Sequence, residues 1–312
     1  MKSHVIIVNP ISGRGTGELS IPFVTQVLEQ NKIPYTLVRT ERPMHAVVLA
    51  REAAEKGADV VVAVGGDGTA NEVLNGLMEA RQKGHVRTAM GIIGVGRGND
   101  FAFGMGIPHG KEEGCRVLIE GYCRAMDVGL VSGGFFPQGR YFGNGVGIGF
   151  DAVVGFVALK MKRLKGFLSY IVAAMKTIFL YFKAPLLKIE YSGNTVTQPC
   201  LMVSVMNGRR MGGGFMMAPE SLPHDGLLDL CIAKQVSRAG IFLLIPRFLK
   251  GTQSSHKAII TGRTETIVVT ALEGTLPAHA DGETLCTEGQ SLSIRILPRQ
   301  IEMVCPKPEI AE

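Results

Sequence analysis

The stretch VVAVGGDGTANEVLNG, Val61 to Gly76, decides the fold. Val61-Val62-Ala63-Val64 is a short apolar run bounded by glycine, which reads as a strand buried on both faces. It enters Gly65-Gly66-Asp67-Gly68-Thr69, and a helical pattern follows from about Ala70, clearest over Asn71–Gln82. Glycines after a strand let backbone amides close around an anion with no Cβ in the way. The dipole of the next helix points at the same place. Asp67 repels phosphate, so it fits such a cradle only if a divalent cation or a lysine bridges the charges. Thr69 adds a hydroxyl donor. A plain glycine turn with an aspartate helix cap explains the same residues, and the motif alone does not choose between the two.

The flanking sequence repeats the arrangement. Strand-like runs occur at His4–Asn9, Tyr35–Arg39, Asp59–Val64 and Ala89–Ile93, with helical patterns at Leu19–Gln30, His45–Lys56 and Asn71–Gln82. This alternation predicts a doubly wound, mostly parallel α/β sheet with ligands at the carboxyl ends of the strands. Asn9-Pro10-Ile11-Ser12-Gly13 ends the first run, and Gly94-Val95-Gly96-Arg97-Gly98-Asn99-Asp100 ends the fourth. Three glycine-rich polar turns would then meet at one crevice. No G-x-x-x-x-G-K-[ST] phosphate loop is present.

Beyond about Gly121 short apolar runs alternate with Gly, Asn and Pro turns: Arg140–Ile148, Leu186–Tyr191, Val196–Met206, Leu227–Ile232, Glu265–Val269 and Leu292–Ile296. They predict a mainly antiparallel β domain, with Ser192-Gly193-Asn194 as a hairpin turn and helical insertions near Asp151–Phe182 and Ser237–Lys250. The expected division is 1–121, 122–298 and a terminal strand in 299–312 whose run Ile301–Cys305 fits either domain. Gly143-Asn144-Gly145-Val146-Gly147 fails the G-x-G-x-x-G spacing and reads as strand glycines.

Composition narrows the setting. A 46% hydrophobic content is ample for packed cores. Val5–Val8 is too short for an export signal, and Phe167–Phe182 falls short of the ~20 apolar residues of a membrane span. Six scattered cysteines without a C-x-x-C pair fit reduced thiols in a cytoplasmic protein. The dispersed histidines suggest no transition-metal site. The net charge of +6 is uneven: seven Lys or Arg and no acid lie between Asp151 and Glu190, and six and none between Asp229 and Glu265. These stretches are either solvated basic faces or contacts with an anionic membrane, and their interleaved apolar runs favour the membrane. No nucleic-acid motif supports that third partner.

Several segments together resemble the diacylglycerol kinase family of lipid kinases in its soluble bacterial form, related to sphingosine and ceramide kinases. They are NPISG (9–13), TERPMHA (40–46), GGDGTANEVLNG (65–76), GRGNDFA (96–102), FGNGVGIGFDA (142–152), HDGLLDL (224–230) and DGE (281–283). The resemblance covers nearly the whole chain in order. GGDGT is shared with NAD kinases and is similar to a phosphofructokinase motif, whereas NDFA and DGE are more specific.

The resemblance implies a two-domain kinase acting between its domains, with ATP and Mg²⁺ as cofactors and a lipid alcohol, above all diacylglycerol, as substrate. It implies phosphate contacts from Asn9, Pro10, Ile11, Ser12 and Gly13 and from Gly66, Asp67, Gly68, Thr69, Ala70, Asn71 and Glu72, with Thr40 near the nucleotide. Glu283 matches the general base, supported by Asp281. Asp67, Asp100 and Lys162 match a charged network around magnesium, with Lys160 and Lys165 close to Lys162 in sequence. Asp225 with the carbonyls of Leu222 and Leu227 matches a structural magnesium site. A homodimer is implied by the resemblance alone, and peripheral membrane association by the basic stretches with their apolar runs. Two departures stand out: Gly94-Val95-Gly96-Arg97 replaces the family's Pro-Leu-Gly-Thr, turning a hydroxyl into a charged fork, and His224 stands where an acid is usual. The alternatives are an NAD-kinase-like kinase of a soluble alcohol and a catalytically silent lipid-binding module. The basic apolar insertions oppose the first, and the joint presence of Asp67, Asp100 and Glu283 opposes the second.

Overall fold

The computed structural model describes residues 2–160, 166–180 and 184–308. The chain forms two units: Met1–Asp127 with Pro298–Glu312, and Val128–Leu297.

The first unit follows the α/β alternation of its sequence. Its elements are β1 (His4–Val8), α1 (Thr16–Gln30), β2 (Tyr35–Arg39), α2 (His45–Glu55), β3 (Val60–Gly65), α3 (Asp67–Gln82), β4 (Ala89–Gly94), the short α4 (Asp100–Gly104) and α5 (Lys111–Glu120). The strands lie in the order β4-β3-β1-β2, all parallel. β3 and β4 are buried at every position, as continuous apolar runs require in a sheet covered on both faces. The edge strand β2 is part-exposed along its length. Helix α2 packs on α3, and α1 on α5. Gly76 explains the close approach of the first pair, because a Cβ there would strike the Val47 carbonyl oxygen and come within 2.9 Å of the Ala50 Cβ. The returning terminal segment lies parallel to β4, with Met303 opposite Met90.

One boundary differs from expectation in a way that bears on function. Helix α3 begins at Asp67, not near Ala70: Gly66 is its extended N-cap, and Asp67, Gly68 and Thr69 form its first turn. An acidic first residue suits the positive end of the helix dipole. Gly68 is therefore a helical residue, and the turn proper is Gly65-Gly66.

The second unit is built on long antiparallel strands. The chain enters it along β5 (Cys123–Gly133) and continues through β6 (Phe136–Phe142), β7 (Gly145–Gly149), α6 (Phe150–Lys160), α7 (Gly166–Leu180), β8 (Leu186–Tyr191), β9 (Asn194–Met206) and β10 (Leu228–Lys234). It then forms α8 (Arg238–Lys250), β11 (Ile259–Thr264), β12 (Thr266–Glu273), β13 (Leu276–Ala280), β14 (Glu283–Gly289) and β15 (Ser291–Val304). The first half of β9 pairs with β8 and the second half with β7 and β10. This shared strand joins the path β14-β13-β7-β9 to the path β9-β8-β12-β15.

Strand period 2 sorts the side chains into two cores. Val203, Val205, Leu230 and Ile232 join Leu187, Ile189, Ile267, Val269, Leu292 and Ile294 in one cluster. The alternate residues Met202, Met206, Cys231 and Ala233 face the other way, into a cluster with Val154 and Ala158 of α6, Ala173, Ala174 and Ile178 of α7, and Ile241, Leu244 and Phe248 of α8. Ser237 caps α8 by accepting a hydrogen bond from the Gly240 amide. The hairpin turn expected at Ser192-Gly193-Asn194 is present: Tyr191 pairs with Asn194 across Ser192-Gly193, both at positive φ as in a type I′ turn.

The run Arg140–Ile148 is two strands rather than one, broken at Gly143-Asn144. The amides of Gly143, Asn144 and Gly145 all donate to the Asp281 carboxylate, at 2.7, 3.0 and 2.9 Å, so the chain bends out of the ladder there. Strands β5, β11, β13 and β14 carry no clear apolar alternation and add to the expected set. Among the described residues no helix is long and apolar enough to cross a membrane.

Candidate active site

The three glycine turns of the first unit meet. A Cβ on Gly13 (φ 57°) would strike the Val95 carbonyl oxygen, and one on Gly66 would lie 3.1 Å from the Gly96 Cα and 3.7 Å from the Ser12 Oγ. The turns after β1, β3 and β4 thus line one backbone-walled recess at the carboxyl edge of the sheet, where doubly wound folds bind ligands. Its geometry depends on missing side chains, which is why these positions are glycine. The first-turn amides of α3 open onto this end of the sheet without helical partners.

The recess is held by buried polar side chains. Asn9 Nδ2 donates to the buried Thr69 Oγ1 at 3.0 Å, while Asn9 Oδ1 accepts from the Ile11 amide at 3.3 Å. Thr69 packs directly over Gly65. Asn99, buried and left-handed at φ 53°, ties the 94–98 turn to itself by accepting from the Gly96 amide at 3.0 Å. Asn99 has no assigned role in the sequence reading, although its place between Gly98 and Asp100 marks it.

Asp67 has two roles, one for each oxygen. Oδ1 accepts from the Phe101 amide at 2.9 Å, fixing the entry to α4. Oδ2 and the Asp100 Oδ2 flank Gly98, each about one contact distance, 2.9 and 3.0 Å, from where its Cβ would be. Two carboxylates facing one small volume repel unless a proton or a cation lies with them. Burial pushes the Asp67 carboxyl above its ordinary value, against the opposing pull of the amides of Phe101, Asn99 and Asp100. This oxygen-only pair suits a hard divalent cation. Arg97, in the same turn, is part-exposed and has no ion-pair or hydrogen-bond partner among the described residues.

Other expected phosphate contacts have different partners. The Ala70 amide donates to the Gly66 carbonyl. Asn71 is fully buried, and its Oδ1 accepts from Asn75 Nδ2 at 3.1 Å. Both oxygens of Glu72 cap the entry to α2, accepting from the Met44 and Ala46 amides at 3.0 and 3.1 Å. These three residues hold helices, which leaves Gly66–Thr69 as the open part of the 66–72 segment. Thr40 follows β2 and donates its amide to the Val8 carbonyl, placing it at the same sheet edge. The Ile11 side chain is exposed, and the Pro10 carbonyl accepts from the Glu18 amide. Lys162 and Lys165 lie outside the described residues.

In the second unit Asp281 and Gly282, at φ 47° and 87°, form the two-residue loop between β13 and β14, and Glu283 is the first residue beyond it. Asp281 is buried and accepts from the three amides of the 143–145 bend. Glu283 is part-exposed. Beside this loop lies a cluster that sequence reasoning missed. His279 Nδ1 accepts from the Gly282 amide at 3.3 Å, which leaves the proton of the neutral ring on Nε2. That Nε2 and the Asp151 Oδ2 both crowd Gly147, at 2.6 and 2.5 Å from where its Cβ would be. Asp151 accepts from Ser204 Oγ at 3.2 Å and from the Ala152 amide at 2.8 Å. Burial raises the Asp151 carboxyl to about 7 and lowers His279 to about 4, so the ring is neutral at pH 7. The signal for this cluster was Gly147 within the quoted FGNGVGIGFDA segment, where the glycine makes room for both polar groups.

At the expected second metal site, Asp225 and the Leu222 carbonyl have partners within the chain. Asp225 Oδ1 accepts from the Leu227 amide at 3.1 Å, and its Oδ2 binds the Arg263 guanidinium at 2.9 Å. The Leu222 carbonyl accepts from the His224 amide at 2.8 Å. Among the described residues no three His, Cys, Asp or Glu side chains gather into a metal cage.

A parallel α/β sheet with glycine turns at its carboxyl edge, joined in sequence to an antiparallel β unit, defines the class of fold. Residues 3–131 match the diacylglycerol kinase catalytic domain, and residues 144–305 match the YegS C-terminal NAD kinase beta sandwich-like domain. A diacylglycerol kinase of Bacillus subtilis is 31% identical over 286 residues, covering 91% of this chain and 90% of its own. One from Staphylococcus aureus is 28% identical, covering 89% and 85%. The solved structure of a Bacillus anthracis diacylglycerol kinase shares the fold at a TM-score of 0.73 and 21% identity, over 99% of this chain and 98% of that one. The chain belongs to the diacylglycerol kinase family.

Proposed function

We propose that this protein transfers the γ-phosphoryl group of ATP to the hydroxyl of a lipid alcohol, with diacylglycerol as the first substrate to test. The observation that carries this reading is the glycine-walled recess of the first unit, with the paired Asp67 and Asp100 at its side. Phosphoryl transfer needs positioning and charge neutralisation more than covalent help. The amides of Gly13, Gly66, Gly68 and Thr69 offer donors to phosphate oxygens, and Arg97 offers a guanidinium fork. Asp67 and Asp100 would hold the magnesium that accompanies ATP. That ion supplies neutralisation of the phosphate charge.

On the acceptor side, Glu283 is the candidate base for the lipid hydroxyl proton. Asp281 fixes the turn that carries it. Asp151, Ser204 and His279 form a polar floor beside that turn, suited to a glycerol-like head group.

The lipid substrate is met at a cytoplasmic membrane surface. Leu243 on α8 is 72% exposed, with exposed Arg238, Arg247 and Lys250 on the same helix. On α7, Val172, Met175 and Lys176 are exposed. Apolar residues flanked by cations suit an anionic bilayer.

A panel of lipid alcohols presented in mixed vesicles with radiolabelled ATP tests the reading. Labelled phosphatidic acid from diacylglycerol, with stronger sedimentation on anionic than on neutral vesicles at low salt, is the expected result. Transfer only to soluble alcohols would favour an NAD-kinase-like activity, and no transfer to any acceptor would leave a binding module.

A further inference from the structure

The loop Glu220–Asp229 of the second unit gathers acidic side chains around one cation that belongs to the chain itself. Asp229 on β10 pairs directly across the ladder with Arg263 on β11. The guanidinium Nε donates to Asp229 Oδ1 at 3.0 Å, and its Nη2 donates to Asp225 Oδ2 at 2.9 Å. Asp225 turns its other oxygen back onto the Leu227 amide. Both carboxylates are mostly buried, with side-chain exposures of 20% and 15%, while Arg263 is 45% exposed. Asp229 holds its guanidinium above its ordinary pKa, and Asp225 and Glu220 add to the same pull.

We infer that Arg263 is a built-in structural cation that takes the place of a divalent ion in this loop. This inference concerns the β unit and is independent of the lipid-kinase reading. The loop needs a positive charge because buried carboxylates side by side are costly unless paired. A guanidinium bridging two carboxylates supplies that charge with directed hydrogen bonds, which an ammonium group matches poorly. Its permanent charge also removes any need for the loop to recruit an ion from solution. The position of Arg263 decides the matter. It spans two strands, so the same contact closes the 222–227 turn onto the sheet. The Asp229 Oδ2 atom is buried without a hydrogen-bond partner. It therefore stays an unused ligand oxygen, open to a small cation if the guanidinium is removed.

Thermal unfolding of the full chain without nucleotide tests this. The wild-type midpoint should be the same in MgCl₂, CaCl₂ and NaCl of matched ionic strength, and EDTA should not lower it. Arg263→Ala should lower the midpoint by about 2–4 °C, the response of a chain this size to loss of one such contact. Millimolar Mg²⁺ or Ca²⁺ should restore part of that loss in Arg263→Ala, and NaCl should not. Asp225→Asn should lose stability with no divalent rescue. A divalent-specific rise in the wild type that Asp225→Asn abolishes would overturn the inference, because the loop would then already hold an ion. An Arg263→Ala midpoint equal to wild type would overturn it as well. If Arg263→Ala fails to fold, the paired titrations of wild type and Asp225→Asn still decide the question.

Discussion

Two pairs of aspartates face each other in this molecule, and they are neutralised differently. In the first unit Asp67 and Asp100 converge across Gly98. In the second, Asp225 and Asp229 converge on Arg263. The residue types are the same, and the difference lies in what the neighbouring strand or turn supplies. At Gly98 the chain leaves out a side chain altogether, and the two carboxylates flank the space. At Arg263 the chain fills the gap with its own cation. The pair on Arg263 is a structural clasp, whereas under the proposed function the pair at Gly98 would meet the cation that accompanies the phosphates.

The largest effect expected from disturbing this contrast is at Asp67. Asp67→Asn preserves an oxygen for the Phe101 amide while removing the charge that faces Asp100. Kinase turnover should fall by about 10³–10⁵-fold, the scale of charge stabilisation in phosphoryl transfer. The thermal midpoint should hold or rise, since a like-charge repulsion has been relieved. Turnover assays beside a melting curve check both. A variant with near-normal turnover would make Asp67 a helix-capping residue only and remove the distinction between the two pairs.

That ambiguity was already present in the sequence, and it shows where residue reading stops. The short parallel strands, the three glycine turns and the hairpin turn at Ser192-Gly193-Asn194 were legible, because each depends on residues close in the chain. The start of α3 was not, because glycine at position 68 hides a helical first turn behind a loop-like composition. The partners of Asp281 lie 136 to 138 residues away, and nothing local in Asp-Gly-Glu predicts three amides arriving from Gly143–Gly145. The Arg263 clasp is hidden for the same reason: it is a register fact of β10 and β11, and their pairing is not written in either strand alone. Glu72 was misleading in a different way. It stands beside the phosphate motif in sequence, yet helical geometry turns it toward the α2 entry.

A smaller loss is expected at Glu283, which belongs to neither pair. Glu283→Gln keeps length and hydrogen bonding but takes no proton. General-base catalysis contributes about 10²–10⁴-fold, so kcat should fall within that range while the KM for ATP stays close to wild type. A fall in ATP affinity with kcat preserved would assign this turn to nucleotide binding instead and would spread the phosphate site beyond the acidic pair of the first unit.

Asp151, a half-buried carboxylate, offers a third way to neutralise an acid, with a proton, and the smallest expected effect. Among the described residues it makes no ion pair. Its oxygens accept from Ser204 and Ala152, and burial raises its pKa from 3.8 to about 7. The folded chain therefore holds a proton on Asp151 between about pH 4 and pH 7 that the unfolded chain has released. Where the folded state binds more protons, stability falls as pH rises. The stabilising share of the protonated form is complete below about pH 4 and is lost as pH rises through 7. Asp151→Asn mimics the protonated form and keeps both hydrogen bonds, its amide donating to Ser204 Oγ. The midpoints of the variant and the wild type should coincide near pH 4. The variant should then gain progressively up to about pH 8, reaching several degrees at about 2–4 °C per kcal/mol. Melting curves at unit pH steps measure the gap. A gap that does not change with pH would mean that Asp151 is charged throughout and paired with a cation after all, which would place it with Asp225 and Asp229 rather than apart from both pairs.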